Sequence, residues 1–269
     1  MKKLSKGEYY GSQNSELSFD GIVLSHYAYD VPQTDLHYHE NPYFMYVLKG
    51  NMGNWNARSK SQCPPGSIMF NNWQEPHYGS MHSDEASGFH LEFEKSWLER
   101  QGVSLQLLEG SQLIEHPQVH LLFAKLMQEY DLSDSYSKAS VEVLLLQICE
   151  ILSNLKDETH KTPPVWINRL KELLHYDTNE LSLQYLSAQL NLHPVHISRA
   201  VKQYFSMNLG EYIRIQKLKK AIPLLLDPNT SLTEVAYQVG FFDQSHFNRV
   251  FKSYFQLSPS AYRKKQKIR

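Results

Sequence analysis

The chain has 269 residues, 41% of them hydrophobic and 20% charged, with a formal net charge of −1. This length suits two ordinary domains, and the lack of any apolar run of about 18 residues argues against a membrane partner. Residues 1–160 carry 11 Lys+Arg against 21 Asp+Glu, a net of −10, and residues 161–269 carry 16 against 7, a net of +9; opposed halves imply two domains with different partners, the basic one suited to a phosphate backbone.

The N-terminal stretch MKKLSKGEYY has no apolar core of the kind a secretory signal needs. Cys63 and Cys149 are too few for a disulfide framework, so reduced thiols and a cytoplasmic location are expected. From about Leu17 to Leu108 short apolar runs recur at Ile22 to Tyr29, Tyr43 to Lys49, Ser67 to Asn71 and Gly88 to Phe93. Turn clusters such as Cys63-Pro64-Pro65-Gly66 separate them, which predicts an antiparallel barrel or jelly roll. His37-Tyr38-His39, then Tyr43 and Gly50, resembles the first cupin motif, H-x-H-x3-E-x6-G, with tyrosine in place of glutamate. Pro64-Pro65-Gly66 followed by His77 resembles a degenerate second motif. The resemblance implies a cupin-like sensor domain.

His37 and His39, at i and i+2 on a strand, point to one face and could converge with His77 inside the barrel. Three imidazoles suffice for a mononuclear metal site, but the carboxylate of the motif is missing and Glu40 should point the other way. No metal, cofactor or catalytic residue is therefore expected. These histidines are read as lining a small-molecule pocket, with Tyr43, Trp55, Trp73 and Glu92 as further candidates, because aromatic walls with a few polar groups suit ligands such as sugars. The competing reading of each is a hydrogen-bonded core residue.

His116 to Tyr130 and Lys138 to Leu155 are helical in period. The second carries Val141, Leu144, Leu145, Ile148, Ile151, Leu152 and Leu155 as a broad apolar stripe, which either covers the barrel or pairs with a second subunit. With this helical element at about 116–155, the sensor and dimerisation domain is placed at 1–157. A polar linker over 158–164 ends in two prolines, and the basic domain takes 165–269.

That domain is predicted to open with a helix from about Val165 to Tyr176. A helix-turn-helix follows at about 182–205, then a connecting helix from about Leu209 to Leu226, then a second unit at about 231–255. The connecting helix would span roughly 27 Å, and Pro223 should kink it. In the second unit Ser231 and Glu234 form a capping box, Val235, Ala236 and Val239 give an inner face, and Gly240 ends the helix. The next helix buries Phe247, Val250, Phe251 and Tyr254 and turns Ser245, Asn248, Arg249 and Lys252 outward. The first unit repeats this: Leu186 to Asn191 matches Val235 to Gly240, and Ile197 to Phe205 matches Phe247 to Phe255. Asn191 stands where the glycine was, since asparagine tolerates positive φ. Its outward stripe is Val195, Ser198, Arg199 and Lys202.

The second unit closely resembles the signature of the AraC/XylS family of bacterial transcription regulators. Ala236, Gly240 and Phe241 match A-x-x-x-G-F, Ser245 to Lys252 match S-x-F-x-R-x-F-K, and Ser258 to Arg263 match S-P-S-x-Y-R. The resemblance implies an α+β chain: an N-terminal cupin-like barrel with a helical dimerisation element, then an all-α domain with two helix-turn-helix units on a long helix. It also implies a non-enzymatic regulator that binds promoter DNA, answers a small-molecule effector, forms a homodimer and meets RNA polymerase, with activation the usual outcome. Cupin domains in this family usually lack a working metal. Arg199 and Arg249 are placed to pair bidentately with guanine. Val195 could touch a thymine methyl, and His196, Ser198, Gln244, Ser245, His246 and Asn248 offer adaptable contacts. Lys202 and Lys252 suit phosphates. A structural salt bridge within the domain is the competing role for each arginine, and the tail Arg263 to Arg269 is expected to be frayed. Two other functions stay open: a metal-dependent cupin enzyme fused to a DNA-binding domain, and a regulator whose barrel senses nothing.

Overall fold

The computed structural model describes residues 1–57, 59–81, 86–103, 110–158, 165–176, 181–205 and 207–268. It divides into two compact units, residues 1–115 with 125–149 and residues 116–124 with 150–269.

The first unit is a sandwich of two sheets, which decides between barrel and jelly roll. Its strands are β1 (Lys2–Leu4), β2 (Ser12–Phe19), β3 (Ile22–Ala28), β4 (His37–His39), β5 (Tyr43–Lys49), β6 (Met52–Asn56), β7 (Lys60–Cys63), β8 (Ile68–Asn71), β9 (His77–Met81), β10 (Ser87–Phe93) and β11 (Gln112–Ile114). The smaller sheet runs β1-β4-β9-β6-β7 and the larger β11-β8-β5-β10-β3-β2. The pairing is antiparallel apart from β1 on β4. The four predicted apolar runs are β3, β5, β8 and β10, neighbours in the larger sheet.

These strands read as unbroken apolar runs because both faces of the larger sheet are covered. Tyr43, Met45 and Val47 face inward and cluster with Met52 and Cys63 of the smaller sheet. Phe44, Tyr46 and Leu48, of opposite parity, are also buried. Three helices follow: α1 (Lys95–Arg100), α2 (Pro117–Leu132) and α3 (Ser137–Glu158). The Tyr130 ring lies 5.2 Å from Phe89 of β10, the Lys138 ammonium lies over Phe19 of β2, and buried Trp97 donates to Glu142 at 3.4 Å. Val141, Leu145 and Ile148 of the α3 stripe are 0% exposed; each such side chain contributes about 1.5–3 kcal/mol of burial. Most of the stripe is therefore buried within the chain, and Val143 on another face is 54% exposed. Helix α3 continues to Glu158, through the start of the expected linker, and residues 159–164 lie outside the described residues.

The second unit contains α4 (Val165–Tyr176), α5 (Leu183–Leu190), α6 (Pro194–Phe205), α7 (Leu209–Leu226), α8 (Leu232–Gln238), α9 (Gln244–Phe255) and α10 (Pro259–Ile268). Helix α7 serves two cores. Leu209, Tyr212 and Ile215 join Ile167, Leu170, Leu186, Ile197 and Val201 around the first helix pair. Leu218, Ala221, Ile222 and Leu225 are buried further along, on the stretch that meets α8 and α10. Helix α7 continues through Pro223 to Leu226. Tyr254 of α9 packs against the first core, tying the two helix pairs together.

The tail is helical to Ile268 where fraying was expected, and Arg269 lies outside the described residues. Ser258 Oγ accepts the Ala261 N–H at 3.1 Å, Pro259 begins the helix, and Tyr262 is buried against Phe251 and Phe255. A capped start and a buried aromatic anchor fix α10, so the charged sequence beyond it is carried in a helix.

Candidate functional site

Two sites emerge, one on the surface of the second unit and one inside the first. On the surface, each recognition helix is set by a capped helix and a left-handed turn. Ser231 Oγ accepts the Glu234 N–H and the Glu234 carboxylate accepts the Ser231 N–H, completing the predicted capping box. Gly240 has φ +82°, with Phe241 N–H donating to the Ala236 carbonyl and Gly240 N–H to that of Tyr237, the double closure of a glycine C-terminus. Asn191 takes the equivalent position at φ 51°, ψ 43°, as its side chain permits. Asp243 caps α9 through the His246 N–H at 2.6 Å.

The two stripes reach the surface unevenly, and Asn248, expected to face outward, has its Oδ1 buried without a partner among the described residues. Val195, His196, Arg199 and Lys202 on α6 are exposed, as are Ser245, Arg249 and Lys252 on α9; Ser198, Gln244, His246 and Asn248 are half-buried. Among the described residues neither Arg199 nor Arg249 has an ion-pair or hydrogen-bond partner, so the salt-bridge role is not the one seen. Gln244 is oriented by Thr233, whose hydroxyl donates to Oε1 at 2.6 Å, leaving its N–H2 to donate outward. His246 packs edge-on to Phe241.

Lys217, not singled out from the sequence, and Arg263, expected in a frayed tail, hold this surface in place. The Lys217 ammonium of α7 donates to the Gly240 carbonyl in the turn and lies over the Phe241 ring; burial pulls its pKa down. Arg263, the last residue of the signature, donates from Nε to the Leu225 carbonyl at 2.8 Å and from a terminal nitrogen to that of Thr230 at 2.7 Å. It closes the end of α7 against the start of α8. A basic residue aimed at backbone carbonyls looks identical in sequence to one aimed at phosphate.

Inside the first unit, a cavity of about 40 Å³ is lined by residues from both sheets, including His37, His39, Tyr43 and His77. The β-ladder places His37 directly opposite His77, and His39 follows on the same face as His37. One ring nitrogen from each of the three lies within 4.8 Å of the others. His37 Nδ1 meets the Asp35 carbonyl at 2.7 Å and His77 Nδ1 the Glu75 carbonyl at 3.0 Å. A carbonyl only accepts, so Nδ1 carries the proton in both rings and Nε2 keeps its lone pair. The Tyr43 hydroxyl lies 3.2 Å from His77 Nε2. Burial depresses all three imidazoles, and the neighbouring histidines add to this for His39 and His77, the latter reaching about 4; all three are neutral near pH 7.

The other pocket candidates lie elsewhere. Trp55 donates to Ser80 and stacks near Tyr78, and Trp73 lies beneath the Lys95 ammonium; neither lines the cavity. Glu92 is buried behind it, accepting from Gly7 N–H at 2.8 Å, Tyr9 hydroxyl at 3.0 Å and Asn41 at 2.9 Å. Burial raises its pKa against the lowering effect of those bonds. Tyr9 and Tyr10, in a segment that reads as a polar N-terminus, line the cavity instead. Tyr9 stacks on His90 at 3.9 Å, and His90, depressed to about 3 by burial, meets the Tyr29 hydroxyl at 2.7 Å.

The sequence of residues 21–149 matches the AraC-like ligand binding domain family, and residues 186–265 match a helix-turn-helix domain family. The chain belongs to the AraC family of transcription regulators. This AraC-family chain is 30% identical over 114 residues to the Msm operon regulatory protein of Streptococcus mutans, covering 42% of this chain and 41% of that protein. It is 29% identical over 144 residues to the transcriptional activator RhaS of Escherichia coli, covering 53% and 52%. It thus spans about half the length of the curated relatives it matches or less. A crystal structure of ToxT from Vibrio cholerae aligns over 91% of this chain and 97% of its own at 15% identity, with a TM-score of 0.41. Among the described residues no helix is long and apolar enough to cross a membrane.

Proposed function

We propose that the protein regulates transcription by binding double-stranded promoter DNA through α6 and α9, and that an occupant of the N-terminal cavity adjusts that binding. The observation that carries this is the repeated stripe: an arginine and a lysine one turn apart, exposed at matching places on two recognition helices. With neither guanidinium paired among the described residues, each could donate a bidentate pair to guanine O6 and N7, while Lys202 and Lys252 position the protein on phosphates. Two readers on one α7 suit successive major grooves, a bipartite site of two elements about one turn apart. The relatives named as an operon regulatory protein and a transcriptional activator support activation as the outcome; a cytoplasmic location and contact with RNA polymerase belong to the same proposal. The role is regulatory and not enzymatic. A homodimer would use surface outside the buried α3 stripe, where Tyr136 and Val143 are exposed.

A sugar-sized effector needs more room than 40 Å³, which suits one or a few waters; Tyr9 and Tyr10 would have to withdraw to admit it. The deciding experiment is genome-wide mapping of bound sites with the Arg199→Ala/Arg249→Ala double variant as control. Discrete bipartite sites lost in the variant support the reading. Binding that is diffuse, or unchanged in the variant, refutes it.

A further inference from the structure

We infer that Thr233 is a specificity-determining residue: it holds Gln244 as a hydrogen-bond donor and so commits the second reader to a guanine edge in its half of the operator. This rests on the reading of α9 as a DNA-binding helix and adds the base class that helix selects. Gln244 opens α9 directly after the Asp243 cap, at the end by which a recognition helix contacts base edges. Thr233 lies in the first turn of α8, and its hydroxyl donates to Gln244 Oε1 at 2.6 Å.

An unrestrained glutamine reads adenine, accepting from N6–H2 through its oxygen while donating to N7. Here the oxygen is drawn back onto α8. The amide nitrogen sits on the other side of the same carbon, so its two hydrogens take the direction away from α8. Two donors side by side need two acceptors side by side. Guanine supplies them as N7 and O6. Adenine sets an N6–H2 donor beside its N7, which opposes the second hydrogen, and cytosine presents a donor alone.

The neighbouring amide does not restore an acceptor. Asn248, one turn further along α9, has Oδ1 buried, so that atom cannot receive a base N–H, and Arg249 and Lys252 only donate. The first unit has no such pair. Gln184 stands at the place of Thr233, and Pro194, which has no side-chain donor, at the place of Gln244. Val195, 46% exposed, follows it and suits a thymine methyl. The two halves of the site are therefore read by different chemistry. The operator is not two copies of one element, and the guanine marks the half under α9.

The test selects bound sequences from a random double-stranded DNA pool with the full chain, for wild type and for Thr233→Val, Thr233→Ser and Gln244→Ala. Gln244→Ala should erase the base preference at one position, where the wild type holds guanine. Thr233→Val keeps the shape and loses the hydroxyl. It should move that position toward adenine by on the order of 5-fold, with the other positions and the melting midpoint unchanged. Thr233→Ser should keep guanine. Guanine retained in Thr233→Val, or adenine preferred by the wild type at the Gln244 position, overturns the inference. So does uniformly weaker binding by Thr233→Val with no change of preference, which would place the hydroxyl on a phosphate. The Gln244→Ala arm decides even if Thr233→Val does not fold: should every preference survive it, the glutamine reads no base. A wild-type chain that enriches no sequence refutes the DNA-binding role of α9 and this inference with it, whereas the other failures leave that role standing.

Discussion

Replacing Arg263 with alanine should unfold the DNA-binding unit more easily and do so without removing a DNA contact. The guanidinium makes two charge-assisted bonds, to the Leu225 and Thr230 carbonyls, and the residue is half-buried. Such bonds contribute about 1.5–3 kcal/mol each when well shielded; partial exposure and the shared side chain reduce the pair to about 2–3 kcal/mol. For a unit of this size that lowers the melting midpoint by roughly 6–15 °C. Lysine should not rescue it, since one ammonium cannot reproduce a fork that reaches two carbonyls. Calorimetry or circular dichroism on the full chain gives the stability, and operator binding at several salt concentrations gives the number of phosphates engaged. The expected pattern is a large loss of stability with an unchanged salt slope below the melting range. An Arg263→Ala protein as stable as wild type, or one whose salt slope falls by about one, would show that this arginine faces phosphate and not the helix junction.

The converse holds for Arg249→Ala, which should cost about 1–3 kcal/mol in operator affinity, relax specificity at one base pair and leave the midpoint unchanged; competition against shuffled operators measures it. Ser231→Ala removes the N-cap of α8 and should destabilise by about 1 kcal/mol in urea melts. Asn191→Val forces a β-branched residue to φ 51° and should destabilise, whereas Asn191→Gly should be tolerated; melting of both variants decides. The first unit should lose stability as pH falls. His77 and His90 have folded pKa values of about 4 and about 3, below the ordinary 6.5. The unfolded chain therefore binds more protons through the window from about 6.5 down to these values, and stability drains away across it. His77 alone accounts for about 3 kcal/mol of this, opposed by the raised carboxyl of Glu92. Midpoints that hold or rise between pH 7.5 and pH 5 would contradict the buried, neutral imidazoles.

The helical half was legible because its signals are local. Ser231, Glu234, Gly240 and Asn191 each announce a cap or a turn within four residues, and the cap bonds and positive φ values appear where those residues stand. The sandwich was legible only where it is buried. β2 (SQNSELSF) is exposed over most of its length, so no alternation marks it, and β11 is three residues long. Tyr9 and Tyr10 were missed because their place in the cavity is set by long-range bonds, Gly7 and Tyr9 to Glu92 and Tyr27 to Gly7, with nothing nearby in sequence to signal them. Trp55 and Trp73 looked like cavity walls on composition alone, and composition carries no direction. Arg263 and Lys217 belong to the same class: charge is visible in a sequence, but the partner that consumes it is not.

The sharing of α7 between two small cores makes its length a gauge. Adding or deleting one residue between Ile215 and Leu218 would turn everything beyond it by about 100° and shift it by about 1.5 Å. One core or the other would then lose its fit. The spacing of the two readers therefore cannot drift by single insertions, as a loop's could. Target sequences can change base by base under such a protein, while the interval between their two halves stays fixed.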